Sequence, residues 1–560
     1  MSPGPSAAVG SPKVLLVNPQ FNGDSFWAYK PTCRLIGKSY PTPSLGLITV
    51  AAMLPAEWNL RLVDRNVDED EESFEALLQW ADLVLVGGML WQQRDFFAVI
   101  ERAKAAGKPV AVGGPDVSSS PEIYERADFR IVGEAEGCIA DFIAAWRRGE
   151  REGEFRAPLY SIDITRTPPP RFDLLDLSQY AEITVQFSRG CPFRCEFCDI
   201  IELYGRNPRT KTAPQMLAEL QLLYDLGYRG MVQFSDDNLI GNKKAVKAFL
   251  PELIGWQKAH NYPFEFDTEA SLNLADDVAL LMLMRDANFI AVFIGIESPD
   301  PVVLAATLKK QNINRDIVAS IRRIQGMGIL VGAGFIVGFD SERASVSKAM
   351  IDLIEEAAIP ASMVGQLYAL PNTQLTRRLE KEGRLAPQHQ LASQTHKLDQ
   401  FSGGLNFQTL RPRREVLQDY RNVLEYVFRP EIYFARIRRM ADHLDCSGLN
   451  GQLHPGALLR GLRQLARFAW SVGVNRRDLA LDVLGLTIYV LRHNPRALRS
   501  CIYMAGLFAH FGRLSRAMVV RTDRLIEGEL AAGDASPMAA RIPALAHLAA
   551  PPPAAVEMTR

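Results

Sequence analysis

Histidine is missing from the first 259 residues; the first of the chain's 8 is His260. Whatever the N-terminal part binds, it binds without an imidazole ligand or an imidazole base. Long apolar runs are missing too. The nearest to one, Leu479 to Leu491, is interrupted by Asp482 and bracketed by Arg477 and Arg492, so no segment reads as a membrane span. Residues 1–12 are rich in Gly, Pro, Ser and Ala without an apolar stretch, and the expectation is that they are not a signal peptide. No G-x-G-x-x-G follows a strand-like run, which argues against a dinucleotide. An excess of either charge is also absent: 63 Lys plus Arg stand against 64 Asp plus Glu, net −1, so whole-chain charge names no partner. Together with the lack of a recognition motif, this sets nucleic acid aside.

At 560 residues the chain exceeds one core, and several domains are expected. Its seven cysteines are odd in number and do not form a disulfide framework. Three of them, Cys191, Cys195 and Cys198, sit in Cys191-Pro-Phe-Arg-Cys195-Glu-Phe-Cys198. Thiolates spaced C-x3-C-x2-C on a tight loop can bind three irons of a cubane and leave the fourth open. An electron-relay ferredoxin needs a fourth cysteine nearby, whereas Cys33, Cys138, Cys446 and Cys501 are all distant in sequence. Structural zinc needs a second C-x2-C or a His pair, and none follows. Three unrelated buried thiols, or zinc, remain the bland alternatives. An oxygen-sensitive cluster needs a reducing compartment, so the cytoplasm is expected.

The C-x3-C-aromatic-C string, with Phe197 as the aromatic, resembles the signature of radical S-adenosylmethionine (SAM) enzymes. The resemblance implies a 4Fe-4S cluster whose open iron chelates the amino and carboxylate groups of SAM and cleaves it to a 5′-deoxyadenosyl radical.

Upstream, Val14–Val17, Leu60–Val63, Leu83–Val86, Pro109–Val112 and Phe129–Val132 are short β-rich runs separated by stretches of helical period. They predict a doubly wound α/β, Rossmann-like domain over residues 13–150 with a parallel sheet covered on both faces. Ligands in such sheets sit beyond the strand C-termini. There the sequence places Gly87-Gly88-Met89-Leu90, Gly113-Gly114-Pro115-Asp116 and Gly133-Glu134-Ala135-Glu136, which ordinary strand-end turns would also explain. With the cysteine loop downstream, this domain resembles the cobalamin-binding domain of cobalamin-dependent radical SAM enzymes. The resemblance implies cobalamin contacts from Pro43, Leu45 and Gly46, from Gly87, Gly88, Met89 and Leu90, and from Gly113, Gly114, Pro115 and Glu134. Classical cobalamin methyltransferases ligate cobalt through the His of D-x-H-x-x-G. Here no histidine is at hand, so a cofactor with no imidazole from this domain is expected.

Residues 151–182, with Pro168-Pro169-Pro170, read as a linker. Over 183–400, strands Ile183–Phe187, Met231–Ser235, Phe264–Thr268, Ala291–Ile296, Leu330–Val337 and Met363–Ala369 alternate with helices at 213–226, 243–259, 314–327 and 343–357, predicting a partial (β/α)6 barrel. Polar groups recur where the strands stop: Asp236-Asp237-Asn238, Glu269, Glu297-Ser298, Gly334 to Asp340 and Tyr368 to Asn372. Each alone is also a plausible turn or cap. The family resemblance implies SAM contacts from Phe197, from Asp236, Asp237 and Asn238 at the methionine end, from Glu269, from Glu297 and Ser298 near the ribose, and from Gly334 and Gly338 on the adenine side. Arg206, Arg209 and Lys211 after the cysteine loop either balance the cluster or reach the SAM carboxylate, or form a solvated loop with Thr212 as an N-cap.

Residues 401–530 read as helical and 531–560, rich in Ala and Pro, as a disordered tail. Between Arg429 and Ile526 there are 16 Arg, no Lys and 6 acidic residues. Stretches such as Leu458–Val474 and Leu498–Val520 fit either a membrane-surface, lipid-access role or a helical cap on the barrel. Contact with the inner membrane as a peripheral protein is one expectation.

The resemblance implies methyl transfer to an unactivated carbon, with SAM used both to methylate cobalamin and to make the radical, and with an outside one-electron reductant. Phe26-Trp27, Tyr40-Pro41, Gly88-Met89-Leu90, Cys195 to Thr212, Asp237 to Lys244 and Leu370 to Arg377 resemble the hopanoid C-2 methyltransferases, implying a lipid substrate. A radical cyclase of the bacteriochlorophyll oxidative type and a cobalamin-binding regulatory protein with a vestigial cluster are the alternatives.

Overall fold

The computed structural model describes residues 11–21, 23, 25–68, 70–386, 404–448, 455–475 and 477–531. The stretch read as a disordered tail lies, but for Ala531, outside the described residues. Each expected strand is present. β1 (Lys13–Asn18), β2 (Asn59–Asp64), β3 (Leu83–Gly87), β4 (Val110–Gly113) and β5 (Phe129–Val132) form an all-parallel sheet ordered β2-β1-β3-β4-β5 and extended at its edge by β6 (Gly153–Arg156). β6 falls within the stretch read as a linker. Its sequence, Gly-Glu-Phe-Arg, carries one apolar side chain because an edge strand needs only one buried face, and its Glu154 pairs with Arg130 on β5. Alternating residues of the central strands fill two separate cores, one on each face, as a doubly wound sheet requires.

A second parallel sheet contains β7 (Glu182–Val185), β10 (Gly230–Phe234), β11 (Phe264–Ala270), β12 (Phe289–Glu297), β13 (Leu330–Val337) and β14 (Ser362–Gln366), in the order β14-β13-β12-β11-β10-β7. Between β7 and β10 lie two short antiparallel strands, β8 (Ser188–Arg189) and β9 (Arg209–Thr210), which close the base of the cysteine loop. The crossover helices start where the sequence supplies caps. Thr212 forms a capping box with Gln215, and the side chains of Asn242, Asp277 and Asp316 accept first-turn N–H bonds for helices Lys243–Ala259, Val278–Asp286 and Ile317–Gln325.

Burial alternates along these strands. Val232, Phe234, Phe266, Val292, Ile294, Ala333, Phe335 and Val364 are buried toward the helices. Their neighbours Met231, Gln233, Asp267, Glu269, Ala291, Phe293, Gly295, Gly332, Gly334, Ile336, Met363 and Gly365 keep partial access. Because side chains alternate across a strand, this second set lines a lumen rather than a filled core. The β12–β14 wall is glycine-rich and apolar; the β10–β11 wall is polar.

Helices Arg413–Val427, Pro430–His443 and Leu498–Ala531 pack on the barrel, and Phe428, Tyr433, Phe434, Phe508, Phe511 and Met518 join the barrel's own core. The Leu498–Val520 stretch is therefore largely cap. Its first turn closes the lumen from the strand N-terminal side, with Arg499 paired to Glu265 at the start of β11. Arg436, buried among these helices, pairs with Glu355, and Arg421 pairs with Asp523.

Candidate active site at the barrel mouth

The cysteine loop leaves β7 and is fixed at both ends. Gly190 has φ +95°, and a Cβ there would stand 2.8 Å from the Gly205 carbonyl oxygen, so only glycine lets the loop turn back against residue 205. Asp236, at the end of β10, is fully buried. Its carboxylate accepts from the Phe187 N–H at 2.9 Å and from the Ser188 N–H and hydroxyl, and burial raises its pKa to about 6. Expected at the methionine end of SAM, Asp236 is occupied instead as the anchor of the cysteine loop.

Around the thiols stand donors. The Asn238 side-chain amide approaches the Cys191 sulfur at 3.7 Å and that of Gln311 approaches Cys195 at 3.7 Å. The Lys309 ammonium bears on Cys195 and Cys198 and pairs with Glu297 at 2.7 Å. Burial raises all three thiols, so each must give up its proton as a metal arrives. Among the described residues no three His, Cys, Asp or Glu side chains converge on a single ion, a geometry that thiols taking separate irons of a cubane do not need. Three thiols on one loop, facing amide donors and an ammonium, fit an anionic cluster.

Two carboxylates at the mouth make no salt bridge among the described residues, although the Lys309 ammonium bears on one of them, Glu269. Asp237 has a buried oxygen, Oδ2, without a hydrogen-bond partner, and burial with Glu269 beside it raises its pKa. Glu269, on β11, is raised to about 7 by desolvation and then by Glu297. A ligand ammonium or hydroxyl would relieve both. Glu297 itself has φ +69°, at a register shift between β12 and β13. A non-glycine residue held there is strained backbone of the kind that aims side chains at a site. Ser298 is buried and its hydroxyl accepts from Asp300 N–H. Phe197 packs on Phe339 at 5.6 Å. Gly338, with φ +106°, meets Leu405 and Val416 and donates to Glu342, so it turns the chain toward the C-terminal helices rather than into the lumen. Gly334 does face the lumen, against the Phe293 ring.

Of the three basic residues after the loop, Arg206 is exposed, as a solvated loop would have it, whereas Arg209 and Lys211 are paired. Arg209 and Arg189 both bond to Glu134, Arg189 also to Glu136, and Lys211 pairs with Glu219. Glu134, one of the residues expected on cobalamin, thus clamps the first domain to the cysteine loop. Further ties, from Asn372 to the Ser119 carbonyl and from Trp91 against Tyr368, hold the strand C-termini of the first sheet over the barrel mouth. Along that edge Gly88 and Gly114 touch backbone to backbone, with Gly114 at φ +104°. Gly87 abuts Leu47 and a Cβ on Gly113 would be in ordinary contact with Ile131, while Gly46 has open space where a Cβ would stand. Met89 is 45% exposed, Leu90 is partly exposed, and Pro43 and Leu45 are near the first turn of helix Leu45–Met53, with the Pro43 carbonyl within 3.5 Å of Thr184 in the barrel. Pro115 starts the short helix after β4. These loops line the edge where sheet meets barrel, with open space at Gly46, and none offers an imidazole.

Deeper in the lumen lies a group that sequence reasoning missed. Glu182 opens β7 and is 3% exposed; Tyr29 donates to it at 3.2 Å and Tyr503 at 3.5 Å, and desolvation raises it to about 7. Asp267 lies in the same layer and is raised by burial and by Glu182. The signal for Asp267 was the period of two in Glu265, Asp267 and Glu269 along β11.

The family described as the Radical SAM superfamily matches residues 185–353, and a domain of unknown function, DUF4070, matches 373–524. The chain is 42% identical over 507 residues to an uncharacterized methyltransferase of Synechocystis, covering 89% of this chain and 91% of that one. It is 35% identical over 444 residues to the hopanoid C-2 methylase of Rhodopseudomonas palustris, covering 77% and 80%. Among solved structures, the cobalamin-dependent SAM radical enzyme OxsB, with aqua-cobalamin and SAM bound, shares the fold at a TM-score of 0.55 and 17% identity, over 93% of this chain and 81% of that one.

Proposed function

The chain belongs to the radical SAM methyltransferase family, and from that premise we propose that it is cobalamin-dependent and methylates an unactivated carbon of a polycyclic lipid, C-2 of a hopanoid. The observation that carries the chemistry is the placement of three thiols, two carboxylates without a salt bridge and the glycine-rich loops of the first sheet around one barrel mouth. When bound, the cluster and SAM supply a hydrogen-abstracting radical and cobalamin supplies the methyl group.

The protein's part is placement. Cys191, Cys195 and Cys198 hold the cluster; Lys309, Asn238 and Gln311 offset its negative charge. Asp237 and Glu269 receive the ammonium and hydroxyls of SAM, and Gly334 lets the Phe293 ring lie against the β13 wall on the adenine side. Pro43 to Gly46, Gly87 to Leu90 and Gly113 to Pro115 face cobalamin. The apolar wall of Ala291, Phe293, Ile336 and Met363 suits a hydrocarbon skeleton and keeps water from a radical. The lipid assignment rests on the 35% identical relative together with that wall. A cytoplasmic protein touching the membrane, served by a separate one-electron donor, fits this reading.

The test is anaerobic reconstitution with iron, sulfide and cobalamin, then reductant, SAM and diploptene. A hopanoid heavier by about 14 Da, with 5′-deoxyadenosine and S-adenosylhomocysteine, is expected. Formation of 5′-deoxyadenosine with no methylated lipid, or with an unmethylated oxidised product as a cyclase would give, would overturn the hopanoid assignment.

A further inference from the structure

The C-terminal helices include a hairpin, Pro455–Asn475 and Arg477–His493, that is built unlike the cap beneath it. Helix Arg477–His493 turns Leu479, Leu486 and Val490 inward against helices Pro430–His443 and Leu498–Ala531. Its outer face carries Leu481, Leu484, Ile488 and Leu491, spaced three, four and three residues apart, so they form one stripe. Leu481 is 82% exposed, and on the neighbouring helix Trp470 is 74% and Val474 50% exposed. Six large apolar side chains left in water on two adjoining helices form more than scattered surface hydrophobics.

The surrounding charge says what covers them. Arg463, Arg467, Arg477 and Arg492 are exposed on the same hairpin. Where this hairpin meets helix Lys30–Leu35, a cleft of about 460 Å³ is lined by Arg34, Leu35, Gly37, Arg467 and Trp470. Two guanidinium groups beside an indole in an open cleft match an anionic headgroup above an acyl layer. That same short helix flanks the lumen. It follows Trp27, whose ring meets Phe293 of the apolar wall, and Tyr29, which bonds Glu182 inside, and its Thr32 bonds the Gly506 carbonyl of the closing helix.

We propose that the hairpin 455–493 docks this protein on an anionic bilayer, with Trp470, Val474, Leu481, Leu484, Ile488 and Leu491 in the headgroup–acyl boundary and Arg34 and Arg467 on phosphate. Docking sets the Lys30–Leu35 side of the barrel against the membrane, so an apolar substrate passes from the bilayer to the lumen without crossing water. This rests on the lipid-substrate reading for its purpose, although the docking itself does not.

The test uses the full chain with vesicles of phosphatidylcholine alone or mixed with phosphatidylglycerol. The native protein is expected to float with the mixed vesicles and to be released by salt. The triple variant Trp470→Glu, Leu481→Glu, Leu484→Glu should bind at least about tenfold more weakly, and Arg34→Glu with Arg467→Glu should lose the preference for phosphatidylglycerol. Circular dichroism and an unchanged elution volume establish that the variants are folded. Turnover of detergent-dispersed diploptene should survive in the triple variant, while turnover of vesicle-borne diploptene falls. Equal flotation of native and variant proteins would overturn the proposal. So would a native protein that ignores vesicles and has twice the monomer mass, returning to one in the triple variant, for then a second copy covers the stripe. Vesicle binding without turnover of any hopanoid would leave docking standing and sink the substrate assignment.

Discussion

At the scale of single residues, the site separates side chains that hold the loop from those that face the ligand, a distinction invisible in the sequence. Asp236, Asp237 and Asn238 are consecutive, yet the first is enclosed by Phe187 and Ser188, the second is unclaimed and the third turns to a thiol and to Ser271. Asp236→Ala should leave buried N–H groups unpaired, at about 1–3 kcal/mol each, and lower iron retention after reconstitution. Asp237→Asn should keep the iron and weaken SAM binding, measured by calorimetry on the cluster-loaded protein. Glu269 gives a pH dependence whose sign is fixed. Its folded pKa of about 7 lies above its ordinary value, so the native state holds a proton that the unfolded chain has lost between those two values. Its contribution therefore falls as pH rises from 4.5 toward 7 and is constant above. Glu269→Gln should stabilise the ligand-free protein at pH 8 by on the order of 1–2 kcal/mol and make no difference below pH 4, as denaturant titration at the two pH values would reveal.

At the scale of elements, the strands were legible because apolar β-branched runs broken by capped helices leave little choice. The barrel strand Leu330–Val337 has the expected bounds, and the expected Phe264–Thr268 runs on to Ala270. β6 was missed because an edge strand with one buried face lacks that signature. The Leu498–Ala531 helix was ambiguous for a related reason. Its composition suits a membrane surface, and only its packing partners decide that Phe508, Phe511 and Met518 belong to the barrel's core. Phe508→Ala should cost about 3–5 kcal/mol in thermal or chemical unfolding and expose the barrel floor to proteolysis. Of the two stretches that sequence could not tell apart, Leu498–Val520 is largely cap, and it is Leu458–Val474 whose Trp470 and Val474 stay exposed.

At the scale of the whole molecule, the two sheets face each other through strand C-termini, and Glu134 with Arg189 and Arg209 is the buried junction between them. Breaking it should disturb both partners together. Glu134→Ala, which leaves Arg209 without a carboxylate and Arg189 with Glu136 alone, should destabilise by about 3–5 kcal/mol and lower iron and cobalamin retention in parallel; loss of cobalamin alone would make Glu134 a ligand contact rather than a clamp. The sequence could place the strands of both sheets, since those follow from local pattern. It could not show that the first sheet sits on the barrel mouth, because Glu134 lies 55 residues from Arg189 and 75 from Arg209.

The central claim, that one barrel mouth abstracts a hydrogen from a lipid carbon and delivers a methyl group to it, is tested most directly by double labelling. Diploptene deuterated at C-2 and SAM carrying a trideuterated methyl group would be turned over anaerobically by the cluster-loaded, cobalamin-loaded protein. The account predicts deuterium in 5′-deoxyadenosine and an intact trideuterated methyl group on the lipid. Methylated lipid with unlabelled 5′-deoxyadenosine, or labelled 5′-deoxyadenosine without methyl transfer, would contradict it.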